Sequence, residues 1–195
     1  MKILIIIIFL QFSYLLASAQ IDSATRSLME KILRSDFKGD TIYYTNRLEV
    51  NQIKEIKRAL NKRVFAWSKK PGIHDTLRLT LKEKMYLDSI VNQLEKKYWP
   101  DSLFAHSKRI PADSFYTHIE KRNKHILTKK DGWKDQVNYS STFQFSPVIY
   151  FRNKTIALFF YIRMCGGSCG IDELSFYRLE DGRYKFWILV SGGAY

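Results

Sequence analysis

The chain has only two cysteines and four histidines, none beyond His125, and after its first residues no apolar run long enough to cross a membrane. Each shortage excludes something. Without a late histidine, a serine hydrolase whose nucleophile lies near the C-terminus has no base following it in the chain. Without a later long apolar stretch, no transmembrane segment is expected in the mature chain. No cysteine stands at the end of that first segment, so a lipid-modified N-terminus is not indicated. No internal repeat or low-complexity tract argues for a solenoid.

What is present begins with an export signal. Met1-Lys2 is a short positive region, Ile3 to Leu10 is unbroken apolar sequence, and Ala17-Ser18-Ala19 supplies the small residues of a signal-peptidase site. Gln11 and Ser13 interrupt the run before it reaches spanning length. We therefore expect residues 1–19 to be a signal peptide, 20–195 to form one α+β domain, and the mature protein to be secreted or periplasmic. The formal net charge of +13 is strongly basic, which favours anionic partners. Export removes most nucleic acid from consideration and leaves an anionic glycan or a membrane surface; an anionic envelope glycan is the candidate partner. The basic residues are scattered pairs, such as Lys69-Lys70, Lys96-Lys97 and Lys129-Lys130, which also read as an ordinary solvated surface.

The pattern along the chain puts helices first and strands last. Ser23 caps a helix to about Ser35, with Leu28, Met29, Ile32 and Leu33 on one face. Residues 40–45 form a short strand. Ile53, Ile56, Leu60 and Val64 mark a second amphipathic helix ending at Lys69-Lys70-Pro71-Gly72. Thr80 and Glu83 make a capping box for a third, with Leu87, Ile90, Val91, Leu94 and Tyr98 facing the core. A fourth helix spans about Asp113 to Leu127, followed by a polar connection. Ser141 to Phe151 and Thr155 to Met164 are strand-like and joined by Arg152-Asn153-Lys154. The second is apolar on both alternating faces, as a strand covered on both sides must be. Asp181-Gly182 is a hairpin turn into a strand whose Tyr184, Phe186, Ile188 and Val190 share one face. The expected fold is N-terminal helices packed on a C-terminal antiparallel β-meander.

Phe145-Ser146-Pro147-Val148-Ile149-Tyr150, then Cys165-Gly166-Gly167-Ser168-Cys169-Gly170, then Trp187 on an aromatic strand, resemble the tails of a group of uncharacterised bacterial secreted proteins. Those tails run Ser-x-Pro, Cys-Gly-x-x-Cys-Gly and Gly-Lys-Trp. Trp99 to Phe104 and Ser107 to Ile110 also look similar. This chain departs from the pattern: Ser146 directly precedes Pro147, Gly170 runs into Ile171-Asp172, and Tyr184-Lys185-Phe186 intervenes before Trp187. The resemblance implies location and architecture; it assigns no activity.

Cys165 and Cys169 admit three readings. A structural disulfide is the first, because an even cysteine count in an exported chain points to oxidation, and the flanking glycines permit a small ring. On the chain-entropy model such a ring contributes about 2 kcal/mol. Free or regulatory thiols are the second. Metal is the third, but His118 and His125 lie about 10 Å apart along a helix axis, and His74 and His106 have no partner at ligand spacing. No cofactor or metal is implied. Gly166 to Gly170 also matches the Gly-x-Ser-x-Gly elbow of hydrolases, which needs a helix after the serine, whereas a strand is expected here. Asp172 and Glu173, adjacent on a strand, point to opposite faces and do not form an acid/base pair. Trp67, Trp99, Trp133, Trp187 and the tyrosines read as core or, beside basic residues, as sugar-stacking surface. Asp-Ser/Thr pairs such as Asp88-Ser89, and the sequons at Asn138 and Asn153, are candidate glycosylation positions and equally ordinary turn sequences. The functional expectation is a non-catalytic binding or envelope-associated module. A hydrolase acting on an envelope polymer or ester is the alternative, and a small-ligand scaffold the third.

Overall fold

The computed structural model describes residues 22–34, 41–70, 73–127, 141–166 and 169–194. The expected signal peptide, Trp133, Ser168 and the Asn138 sequon lie outside the described residues. Among the described residues, four α-helices, α1 (Ser23–Arg34), α2 (Val50–Ala59), α3 (Leu81–Asn92) and α4 (Phe115–Leu127), accompany nine strands. The strands are β1 (Ile42–Thr45), β2 (Val64–Lys70), β3 (Ile73–Arg78), β4 (Ser107–Ile110), β5 (Thr142–Phe145), β6 (Ile149–Phe151), β7 (Ile156–Gly166), β8 (Cys169–Glu180) and β9 (Arg183–Ala194). Seven build one sheet in the order β4-β1-β5-β7-β8-β9, with β6 also on β7, while β2 and β3 form a separate hairpin. The class is α+β, as the sequence implies.

The C-terminal meander is antiparallel, but β1 pairs in parallel with both β4 and β5, so two N-terminal strands extend it. The expectation of a loop through Lys108 misses β4 for a simple reason. Four residues with two exposed cations show no alternation, and only the neighbouring β1 makes them a strand.

β7 is buried on both faces and separates two cores. Leu158 and Phe160 face a cluster that includes Ile53, Ile56 and Leu60 of α2, Leu87 and Val91 of α3, and Phe65 and Leu77 of the hairpin. Ala157, Phe159 and Tyr161 face the other, with Leu28, Met29 and Leu33 of α1, Tyr44 of β1 and Trp99. Period-two alternation with apolar groups at every position is what a strand between two layers requires. β5 and β6 lie on one edge of β7, broken at Ser146-Pro147. Pro147 has no N–H to give, and Ser146 bridges the gap: its N–H donates to Phe160 O at 2.9 Å, and its Oγ accepts from Phe160 N–H at 3.1 Å.

Several local expectations are corrected. Asp22, not Ser23, caps α1, accepting from Thr25 N–H at 2.8 Å and from the Thr25 hydroxyl at 2.9 Å. α2 stops at Ala59, and Val64 opens β2, 45% exposed, because the β2–β3 hairpin continues the chain where helical spacing was expected. Tyr98 is 58% exposed, since α3 ends at Asn92 and gives way to a 3-10 turn over Leu94–Lys96. Finally, Tyr184, Phe186, Ile188 and Val190 do not share one face. The β8–β9 register shifts between Leu174/Ser175 and between Phe176/Tyr177, so Trp187 and Val190 fall at bulges. Tyr184 and Phe186 therefore pack with the α1 core, and Ile188 and Val190 with the α2–α3 core. The Thr80–Glu83 capping box forms as expected, with Glu83 N–H to Thr80 Oγ1 at 3.2 Å and Thr80 N–H to Glu83 Oε2 at 2.8 Å.

Candidate functional site

The β6–β7 connection carries the most unusual backbone. Arg152, Asn153 and Lys154 all have positive φ, at 50°, 53° and 62°. None is glycine, and each left-handed residue costs about 1–2 kcal/mol, somewhat less for asparagine. The surroundings hold the turn in place. Arg152 forms a two-pronged ion pair with Glu83, Nε to Oε1 at 2.7 Å and Nη2 to Oε2 at 3.1 Å, and also donates to Arg78 O at 2.9 Å. Thr155 donates its N–H and its hydroxyl to Arg152 O, and Thr155 O accepts from Leu179 N–H. The Tyr184 hydroxyl donates to Lys154 O. The Arg152 guanidinium holds the Glu83 carboxyl well below its usual range, to about 2, against burial that works the other way.

This turn projects Lys154 beside two tyrosines. Tyr150 of β6 and Tyr184 of β9 meet with ring centroids 5.4 Å apart, and the Lys154 ammonium sits 5.9 Å from the Tyr150 centroid. The Thr25 hydroxyl of α1, whose proton goes to Asp22, lies 3.0 Å from the Tyr150 hydroxyl and accepts from it, and Asp22 lies close enough to feel the charge of Lys154. Burial pushes the Tyr184 hydroxyl up to about 12, with Tyr150 and Asp22 adding to the effect. Burial raises Tyr150 as well. Both rings stay uncharged at physiological pH.

Two grooves flank this pair. One, about 610 Å³, runs between α1 and the β8–β9 turn, with Leu28 in its floor and Lys31, Arg183 and Tyr184 on its walls. The other, about 530 Å³, lies between α3 and β6, lined by Tyr86, Ile90, Lys97, Val148 and Tyr150 among others. Lys154 lines both. Tyr86 spans the second groove, its hydroxyl 3.2 Å from Tyr150 O. Among the described residues, Lys31, Lys97, Lys154 and Arg183 form no ion pair. The result is an open surface of tyrosine faces and available cations. Such a surface suits the apolar face of a sugar ring and an acidic substituent upon it.

The sequence-predicted residues lie elsewhere. Cys165 is buried at 1% exposure, and the β7–β8 register shift between Met164 and Gly166 places it opposite the break, with Gly166 paired to Cys169. The side chain of Cys169 and all of Ser168 lie outside the described residues. β7 ends at Gly166 and β8 begins at Cys169, so the element that follows is a strand and not the helix of a nucleophile elbow. Asp172 and Glu173 do diverge. Glu173 accepts from the Tyr177 hydroxyl at 3.0 Å and the Tyr161 hydroxyl at 3.4 Å on the α1 side, while Asp172 pairs with Ile162 and Gly193 in the ladder. Burial, and next the Glu173 carboxylate, push the Tyr177 hydroxyl far upward, so it serves as a donor and not as an acid.

His118 contacts the Thr142 hydroxyl at 3.2 Å and the Tyr43 ring at 4.7 Å between centroids, and His106 is exposed. The side chains of His74, His125 and Trp67 are outside the described set. Among the described residues, no group of three or more His, Cys, Asp or Glu gathers at metal-binding distance. Trp99 belongs to the core, its indole N–H donating to Phe145 O at 3.1 Å, and Trp187 lies under the Arg178 guanidinium at 4.9 Å.

Sequence reasoning missed this face because its walls come from distant segments, residues 24–31, 86–97, 147–154 and 179–184. The local signals are Tyr150, which the pattern places in a strand, and Arg152-Asn153-Lys154, which it places in the turn after it. No helix among the described residues is long and apolar enough to cross a membrane. No family model, no curated protein and no solved structure matches this chain.

Proposed function

We propose that this is an exported, non-catalytic binding module that takes an anionic envelope glycan on the Tyr150–Lys154–Tyr184 face. The observation that carries the reading is the pair of grooves meeting at Lys154, each walled by one tyrosine of a contacting pair and edged by cations that have no carboxylate partner among the described residues. The signal-like first 19 residues, the net charge of +13 and the resemblance of the C-terminal motifs to bacterial secreted proteins support the location. A Cys165–Cys169 disulfide belongs to the same reading: it staples the β7–β8 turn at the opposite end of β7 from the face, a structural role. Hydrolysis finds less support, because Ser168 sits between strands and Asp172 and Glu173 face apart.

The test is calorimetric titration with an acidic oligosaccharide, an oligogalacturonate, and with a neutral oligosaccharide of equal length. The acidic one should bind and weaken as salt is raised, since exposed charges are screened beyond about 8 Å at physiological ionic strength. Ser168→Ala should change nothing. Equal affinity for the neutral sugar, or turnover of an ester or glycan that Ser168→Ala abolishes, overturns the proposal.

A further inference from the structure

The two grooves share a wall. Tyr184 lines the α1 groove, Tyr150 lines the α3 groove, and the two rings pack against each other at 5.4 Å. The tyrosine pair, its ring planes tilted by 39°, thus forms the ridge between the grooves, and Lys154, which lines both, stands beside the Tyr150 ring. Each groove also carries cations of its own: Lys31 and Arg183 on one side, Lys97 on the other. The turn that bears Lys154 is fixed on both flanks, to Glu83 through Arg152 and to β9 through the Tyr184 hydroxyl.

We infer that the two grooves are halves of one site for a single acidic polysaccharide chain, which crosses the ridge with an acidic group at Lys154 and a sugar unit on each side. This inference rests on the proposed function and adds the mode of binding to it: a chain gripped at internal units, not at an end. Both grooves are open, as a through-running polymer requires, and the charges recur along the path, which matches a ligand carrying acid groups at intervals. Joining two weak half-sites through one ligand raises affinity by an effective-concentration term and adds no contact, by about 100-fold for well-matched spacing.

The experiment uses the full-length mature protein with digalacturonate and octagalacturonate, reading affinity and stoichiometry by calorimetry. Octagalacturonate should bind one per protein chain, about 100-fold more tightly than digalacturonate. Lys154→Ala should weaken it about tenfold, the loss of one charge-assisted contact. Arg183→Ala in one groove and Lys97→Ala in the other should each weaken octagalacturonate, whereas each should weaken digalacturonate at one groove only. Arg183 and Lys97 are exposed and without ion-pair partners among the described residues, and unchanged melting temperatures would show that the folds are intact. Two octagalacturonate molecules per chain, or octagalacturonate affinity indifferent to either groove variant alone, would overturn the single-chain site while leaving the binding function standing. Absence of binding by either acidic oligosaccharide would remove both.

Discussion

Glu83 connects the stability of α3 to the geometry of the proposed site, so replacing it makes a quantitative prediction. Its carboxylate closes the capping box with Thr80 N–H at 2.8 Å and grips Arg152 at 2.7 and 3.1 Å. The depression of its pKa from 4.5 to about 2 corresponds at face value to ~3 kcal/mol. Solvent around the 37% exposed Arg152 side chain screens that interaction, and exposed pairs contribute ~1 kcal/mol or less. Adding the lost cap bond, Glu83→Ala should cost ~1–2 kcal/mol and lower Tm by roughly 2–8 °C. Glu83→Gln keeps a cap acceptor and should cost about half as much.

The pH dependence has a definite sign. A depressed carboxyl stabilises fully above its unfolded pKa of 4.5 and loses that contribution as pH falls towards about 2. The gap between wild type and Glu83→Ala, measured by thermal or urea melts, should therefore shrink between about pH 5 and pH 3. Because Arg152 anchors the left-handed turn, Glu83→Ala should also weaken acidic-oligosaccharide binding although Glu83 itself touches no ligand. A gap that stays constant down to about pH 3, or no loss of stability at pH 7, would refute the coupling.

Lys154→Gly separates stability from function: relief of the φ of 62° offsets glycine's backbone entropy, so stability should hold or rise by up to ~1 kcal/mol, while binding of the acidic oligosaccharide weakens about tenfold. A fall in stability would show that the turn is not strained. Gly192→Ala should destabilise by ~1–3 kcal/mol in denaturant titration, because a Cβ there meets Asp172 O at 2.8 Å and Leu189 Cδ1 at 3.3 Å. Wild-type stability in that variant would contradict the close β8–β9 packing. Thiol counting on denatured, unreduced protein from its native compartment should find none, and two reactive thiols would remove the Cys165–Cys169 disulfide. Intact mass of the exported protein should place its first residue at Gln20; retention of Met1 would refute the signal peptide.

The sequence made legible whatever rests on local pattern. The capping box at Thr80 and Glu83, the apolar alternation of β7 and the Asp181-Gly182 turn, with φ of 51° and 73°, all follow from contacts within a few residues. What was illegible depends on partners far along the chain. β4 is a strand only because β1 pairs with it, and β2 follows α2 without any break in apolar spacing between Leu60 and Val64. The bulges at Trp187 and Val190 reverse the facing of the last strand, and nothing in the alternation of Tyr184 to Val190 announces them, because they accommodate β8. The candidate site is the extreme case. Tyr184 is separated from Tyr150 and Lys154 in sequence by β7 and β8, and their conjunction exists only in the packed sheet.

The account stands most directly on where an acidic ligand touches the protein. Backbone amide shifts of isotopically labelled mature protein, followed by NMR as octagalacturonate is added, answer that question without any variant. The account predicts perturbations concentrated at Tyr150, Asn153, Lys154, Arg183 and Tyr184 and extending into Lys31 and Lys97. Perturbations centred on the Cys165–Cys169 turn, spread evenly over the basic surface, or absent altogether would contradict it.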